Sequence, residues 1–294
     1  MPHRTTRRQA LKNLALGAAA LTLDPSALAA EVTEDVEPPT WKGRIRHSVC
    51  RWCFNSIPLD EFCQAVKVLG IPAIDLVGPK DWPLLQQYGL YSSMCNGAEI
   101  NLVNGWNHPE YHDTLVKNYT DMIPLVAKAG YRNLICFSGN RNGMDDETGL
   151  KNCVAGLKKI LPLAEKNGVI IIMELLNSKI DHKDYMCDKT PWGVELCKRL
   201  DSAHFKLLYD IYHMQIDEGD VIRTIRDNHR YIAHYHTAGV PGRHEIDDTQ
   251  ELYYPAIMRA IADTGFTGYV AQEFIPTQTN KIAALAEAVR ICDV

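Results

Sequence analysis

The chain has 294 residues, 46% of them hydrophobic and 23% charged, a makeup within the ordinary globular range. Its net charge of −5 comes from 31 Lys and Arg against 36 Asp and Glu, with both signs mixed along the chain. No basic run offers a surface for nucleic acid, so chemistry on a small molecule is the favoured class.

The first elements are a processing signal and a linker. Thr6-Arg7-Arg8-Gln9-Ala10-Leu11-Lys12 is a twin-arginine pattern, residues 14–23 are apolar, and Ala27-Leu28-Ala29 has the small residues of a cleavage site. Residues 1–29 are therefore expected to be a Tat export signal, which places the mature protein in the periplasm or otherwise outside the cytoplasm. The apolar stretch is short for a membrane span, and no later segment reads as one, so no membrane insertion is expected of the mature form. Residues 30–43, with Glu, Asp, Thr and a Pro pair, read as a solvated linker. The nine cysteines are an odd number without framework spacing. Cys50 and Cys53 form one C-x-x-C, but their strand context favours buried free thiols over a redox pair or a zinc site.

From residue 44 onward short apolar runs alternate with helical patterns. Strands are predicted over 45–49, 73–77, 91–95 and 134–137, with helices over 59–69, 81–88, 110–129 and 146–167 between and after them. Gly70, Gly89, Gly130 and Gly168 close those helices. The second half continues with strands over 169–175, 206–212, 232–237 and 269–274 and helices over 192–200, 221–228, 252–264 and 281–292. The run Val169-Ile170-Ile171-Ile172-Met173 is apolar on both faces, as a parallel strand covered on both sides requires. Eight strand–helix units in about 250 residues select a single-domain α/β fold, the (β/α)₈ TIM barrel, over residues 44–294. No G-x-G-x-x-G or Walker loop follows a strand, which disfavours a nucleotide-binding open sheet.

Barrels of this kind carry their chemistry at the carboxyl ends of the strands. Four consecutive strands each present a group able to bind metal near their carboxyl end: Glu174, Asp210, His236 and Glu273. One such residue alone is more often a helix cap or a surface group. Four together require an explanation, because converging buried carboxylates must be paired, protonated or metal-bound. Three carboxylates and one imidazole suit one divalent ion, Mn²⁺, Mg²⁺ or Co²⁺, with Zn²⁺ also compatible. Glu174 and Glu273 come from non-adjacent strands and can approach opposite faces of a substrate, which suits both to proton transfer beside a carbonyl. Arg243, in a Pro241-Gly242 turn, is suited to a substrate carboxylate or several hydroxyls, with a surface ion pair as the plainer alternative. His213 is suited to donating to a substrate oxygen, or else is a structural rim histidine. Trp52 and Phe54 are candidates to wall the pocket or equally, as aromatics, to sit in the core, and His182, Lys183 and Tyr185 are candidates to cover the site.

The segments Glu174-Leu175-Leu176-Asn177-Ser178, YDIYHMQIDEGD (209–220), VPGRHE (240–245) and AQEFIP (271–276) resemble those of hydroxypyruvate isomerases in the xylose isomerase-like sugar isomerase/epimerase superfamily. The resemblance covers roughly 44–290 and is tightest over 174–276. It implies a TIM barrel with one divalent metal on Glu174, Asp210, His236 and Glu273, and substrate contacts near His213 and Arg243. Where those isomerases resemble H-V-Q on the seventh strand, this chain has His234-Tyr235-His236. The ketose 3-epimerases resemble it there in having a His, but they carry a further Glu six residues after the first ligand, where this chain has Ile180. The expected function is thus a hydroxypyruvate isomerase-like, metal-dependent isomerase working through an enediolate on a small hydroxy-carbonyl or sugar substrate. Export raises the alternatives of an extracytoplasmic sugar or keto-sugar epimerase, or a 3-keto-glycoside lyase. A non-catalytic sugar-binding protein is disfavoured by the intact ligand set, and a metal nuclease by the acidic charge. Whether the chain forms a homo-oligomer is left open.

Overall fold

Eight parallel strands pair in chain order and close on themselves: β1 (Arg46–Cys50), β2 (Ala73–Val77), β3 (Tyr91–Cys95), β4 (Asn133–Cys136), β5 (Ile170–Glu174), β6 (Phe205–Asp210), β7 (Ile232–Thr237) and β8 (Tyr269–Gln272). These come from a computed structural model that describes residues 40–294. The expected export signal and residues 30–39 of the expected linker lie outside the described residues. The closing pair runs β1 to β8, with His47 opposite Val270 and Val49 opposite Gln272. The helices are α1 (Leu59–Val68), α2 (Trp82–Gln87), α3 (His112–Lys128), α4 (Asp146–Leu157), α5 (Leu161–Asn167), α6 (Thr190–Leu200), α7 (Ile211–Asp217), α8 (Val221–Asn228), α9 (Tyr254–Asp263) and α10 (Lys281–Cys292). The (β/α)₈ barrel expected from the alternation is therefore what the chain forms.

Two layers of core follow from the strand pattern. Residues pointing outward, such as Ile171, Met173, Leu207 and Val270, pack under the helices in one large cluster. Residues pointing inward, Met94, Ile135, Ile172 and Leu208, form a separate plug inside the barrel. A filled interior of this kind leaves room for function only beyond the carboxyl ends of the strands.

The structure departs from the sequence reading in several places. The single helix expected over 146–167 is two helices, because Pro162 cannot donate to the preceding turn and its ring clashes there; it sits instead in the first turn of α5. The strand expected to reach Tyr212 stops at Asp210, where α7 begins. Residues 40–43 of the expected linker are not wholly solvated: Trp41 is half-buried and its indole donates to the Leu69 carbonyl (3.1 Å), while the Lys42 amide donates to the Asp293 carboxylate (3.0 Å). The third helix starts at His112 after a short turn at Pro109–Tyr111. All nine cysteines are buried free thiols, Cys50 and Cys53 included. Among the described residues no helix is long and apolar enough to cross a membrane.

Candidate metal centre and active site

Each of the four expected ligands is placed by the end of its strand. Glu174 is the last residue of β5 and Asp210 the last of β6. His236 is next to last on β7, and Glu273 directly follows β8, its amide still donating to the Thr237 carbonyl (2.9 Å). Asp210 is also the N-cap of α7: Oδ1 accepts from the Tyr212 (2.8 Å) and His213 (3.3 Å) amides, satisfying donors that have no partner inside the helix. That cap occupies Oδ1 and leaves Oδ2 to the interior of the site, where Arg243 reaches it. One donor atom from each of Glu174, Asp210, His236 and Glu273 lies within 4.8 Å of the others.

The donor set fits a divalent cation. His236 Nδ1 is 2.6 Å from Glu273 Oε2 and 3.2 Å from Glu174 Oε1. Glu174 Oε1 and His236 Nδ1 are both buried without a hydrogen-bond partner. Three carboxylates crowd against the one guanidinium of Arg243, an excess of acidic groups that a divalent ion would offset. The proton affinities are pulled apart, as expected when carboxylates crowd in a dry site. Burial pushes the Asp210 carboxyl up to about 7, with Arg243 opposing and Glu273 adding to it. Burial also raises Glu174. At Glu273 burial is overcome by His236, Arg243 and the Trp52 indole, which hold it well below the usual carboxylate range. Burial disfavours charge on His236, but Cys50, Glu273 and Asp75 drive it well above the ordinary imidazole value.

Above the four residues opens a cavity of about 370 Å³, into which Glu174, Glu273, Arg243 and His213 face and whose walls include Trp52, Leu76, Phe137, Leu176 and His182. Asp210 and His236 lie fully buried. Arg243 is the hub. It donates to Asp210 Oδ2 (3.0 Å), to Glu273 Oε2 and to the Glu273 carbonyl (3.3 Å), and its guanidinium lies 5.5 Å from the Trp52 ring and 5.0 Å from that of Tyr212. The expectation of a surface ion pair is set aside, because the side chain is buried among the ligands. The loop carrying it is pinned at both ends. The Ile275 amide donates to the Arg243 carbonyl (2.7 Å), and Glu245 accepts from the Thr277 (2.7 Å) and Gln278 (3.0 Å) amides.

His213 is fully buried, with Nε2 2.6 Å from the Arg243 guanidinium and Nδ1 2.6 Å from the Asn177 side-chain nitrogen. Burial and the neighbouring guanidinium hold it well below its ordinary value, so it is neutral and steadies Arg243. Trp52 lines the cavity and its indole donates to Glu273 Oε1 (2.7 Å). His182 lines it too, packed edge-on against His213 with ring centroids 5.1 Å apart. Three other residues belong elsewhere. Phe54 is core, stacked on Phe62. Tyr185 is fully buried behind β5, its hydroxyl donating to the Glu174 carbonyl (3.1 Å) and accepting from the Ser138 amide (3.0 Å). Lys183 is exposed and donates to the Lys179 carbonyl.

One group was not foreseen. Asp75 of β2 is fully buried and accepts from His236 Nε2 (3.0 Å) and Ser93 Oγ (2.5 Å). Its only trace in the sequence is an acid inside the apolar strand Ala73-Ile74-Asp75-Leu76-Val77, with no turn residue beside it. Burial opposes its charge, but His234 and His236 hold it well below the usual carboxylate range.

A family model described as xylose isomerase-like TIM barrel matches residues 83–292. The chain is 34% identical over 113 residues to the 2-oxo-tetronate isomerase of Cupriavidus necator, a match that spans 38% of this chain and 43% of that protein. It is 23% identical over 234 residues to the 2-oxo-tetronate isomerase of Pectobacterium atrosepticum, spanning 76% of this chain and 88% of that one. Among solved structures, an AP endonuclease, family 2, from Brucella melitensis superposes with a TM-score of 0.72 at 23% identity, over 84% of this chain and 99% of the other. The 3-keto-D-glucoside 4-epimerase of E. coli superposes with a TM-score of 0.70 at 17% identity, over 84% and 98%. At these identities the structural likenesses speak for the fold alone. The closed barrel and the family match agree: the chain belongs to the xylose isomerase-like TIM barrel family.

Proposed function

We propose that the protein is a metal-dependent isomerase of the hydroxypyruvate isomerase type, moving a proton between two carbons of a small 2-hydroxy-carbonyl compound. The observation that carries this reading is the pairing of Glu174 and Glu273 at the floor of one cavity, with Asp210 and His236 beneath them. Relatives named 2-oxo-tetronate isomerase support the reaction class. Glu174, Asp210, His236 and Glu273 would hold one divalent ion. When bound, such an ion supplies a Lewis acid for the carbonyl and its neighbouring hydroxyl, lowering the cost of charge that develops on oxygen.

The protein's own groups divide the remaining work. Glu174 lines the cavity and, unlike Glu273, is not tied to Trp52 and Arg243, so it is the residue placed to take the proton from the C–H bond. The electron pair of that bond becomes the carbon–carbon double bond of an enediolate, and the carbonyl oxygen gains the negative charge. Glu174 then returns the proton to the former carbonyl carbon, while a hydroxyl proton moves between the two oxygens. Glu273 is tied down through both oxygens, by Trp52 on one side and by Arg243 on the other, and holds its position while charge moves. Arg243 offers a fixed positive charge at the cavity floor, suited to a substrate carboxylate or hydroxyls. Neutral His213 keeps the guanidinium aimed.

A second reading is favoured by the cavity itself. Its volume of about 370 Å³ lies in the range of roughly 300–1,000 Å³ that takes drug-sized ligands, so a hexose-sized keto-sugar has room. Glu174 and Glu273 both face it and could serve opposite faces, as an epimerase requires, or expel a β-leaving group, as a 3-keto-glycoside lyase would. Export through residues 1–29 is part of this proposal and suits a substrate met outside the cytoplasm. The test is an NMR screen of hydroxypyruvate, ketohexoses and 3-keto-glycosides in D₂O with Mg²⁺-loaded protein. Isomerisation puts solvent deuterium on the product carbon, epimerisation exchanges it into the substrate carbon, and a lyase releases a free aglycone. Turnover that persists unchanged in a chelator would remove the metal mechanism.

A further inference from the structure

We infer that Asp75 is a positioning residue for the metal centre: it holds the His236 proton on Nε2, so that Nδ1 is the nitrogen offered to the ion. The inference rests on the metal reading above and adds to it a residue from β2, outside the four ligand-bearing strands.

An imidazole has two ring nitrogens, and the hydrogen bond made by one decides which is left to bind metal. Here His236 Nδ1 faces Glu273 Oε2 and Glu174 Oε1, while Nε2 lies 3.0 Å from Asp75 Oδ1. An ionised carboxylate only accepts, so this contact requires a proton on Nε2. The same carboxylate is held from its other side. Ser93 Oγ donates to Oδ2 and stands 2.8 Å from Ser48 Oγ, His234 Nε2 lies 2.8 Å from Oδ2, and the Cys50 thiol approaches Oδ1 at 3.5 Å. Asp75 cannot rotate away from His236 without abandoning these partners in a fully buried place.

The backbone of β2 is bent where this carboxylate is set. The register against β3 shifts on both sides of Asp75, and the next residue, Leu76, has φ of +53° although it is not glycine. A shift of this kind re-aims a side chain at the cost of a regular ladder, and positive φ in a branched residue is held only where the surroundings impose it. Here it gives two consecutive residues to the site: Asp75 beneath His236, and Leu76 in the cavity wall. A carboxylate that merely filled the core would need neither.

The test uses the full protein loaded with Zn²⁺, which is diamagnetic, in wild-type and Asp75→Asn forms. Imidazole ¹⁵N spectra should show His236 with metal on Nδ1 and its proton on Nε2. Asp75→Asn should bind Zn²⁺ about 10–100-fold more weakly, with the melting temperature of the chelator-treated protein changed far less than that affinity. Wild-type Zn²⁺ protein with the proton on Nδ1 overturns the inference, and it does so even if Asp75→Asn fails to fold. So does an Asp75→Asn protein with unchanged affinity and an unchanged His236 spectrum. A wild-type protein that takes up no Zn²⁺ at all overturns the metal reading itself, which separates the two failures.

Discussion

Replacing Arg243 with Met is the most revealing perturbation of the charge balance at the site. The side chain is 12% exposed and joins Asp210 to Glu273 while supporting His213. Taking it away leaves two buried carboxylates facing each other with no fixed positive charge between them. Removing one member of a buried pair typically costs about 3–5 kcal/mol. For a domain of this size 1 kcal/mol moves the melting temperature by about 2–4 °C, so a fall of roughly 6–20 °C is expected in chelator. A divalent ion acts on the same carboxylates, so saturating Mn²⁺ should raise the variant's melting temperature by more than it raises that of wild type. Arg243→Lys should fall between the two, because a point charge cannot span three partners as the planar guanidinium does. The assay is a thermal melt of each protein with EDTA and with Mn²⁺. An Arg243→Met protein that melts with wild type in EDTA, or that gains no more from Mn²⁺ than wild type, would refute the coupling between guanidinium and metal site.

Three further outcomes follow from the geometry. Glu273→Gln should lose metal affinity and activity together, and a variant that keeps full activity and full metal content would take Glu273 out of the centre. His47 on β1 is buried, and burial lowers it to about 4 from an ordinary value of 6.5, with Asp293 only partly opposing. The unfolded chain therefore takes up this proton first, and stability present above pH 6.5 is lost as pH falls towards 4, by about 3 kcal/mol in all. Urea unfolding at pH 7 and pH 4.5 should show a smaller loss in His47→Gln than in wild type, and equal losses would contradict the assignment. Gly239→Ala would put a Cβ 2.2 Å from the Glu245 carbonyl oxygen, so the loop that carries Arg243 must shift. A stability loss of about 1–3 kcal/mol is expected, with a larger relative loss of activity, and normal activity in this variant would show that the loop tolerates displacement.

The barrel and the four candidate ligands were legible in the sequence because each candidate lies at or near the carboxyl end of a predicted strand. Glu174 follows Ile170-Ile171-Ile172-Met173, and Asp210 follows Leu207-Leu208-Tyr209, so strand pattern and chemistry announce each other. The second role of Asp210 was not legible. Ile211 and Tyr212 continue the apolar strand pattern, and only the backbone reveals that they open α7 with Asp210 as its cap. Arg243 was read as a substrate contact, but its buried bridge between two ligands depends on a loop pinned by Glu245, to which local sequence is blind. Asp75 was missed because a single acid in a strand carries no period or spacing signal. Its meaning comes from β7 across the barrel, 161 residues away. Loop position alone places Tyr185 over the pocket and leaves Phe54 between pocket wall and core, and packing puts both in the core.

The proposed chemistry depends on Glu174, Asp210, His236 and Glu273 forming one divalent metal site. Its most direct test is elemental analysis of chelated protein reloaded with Mn²⁺ and freed of excess ion, comparing wild type with His236→Asn and Asp210→Asn. One ion per chain in wild type, lost in both folded variants, is the expected result. Wild type without a bound ion, or variants that retain it in full, would contradict the site.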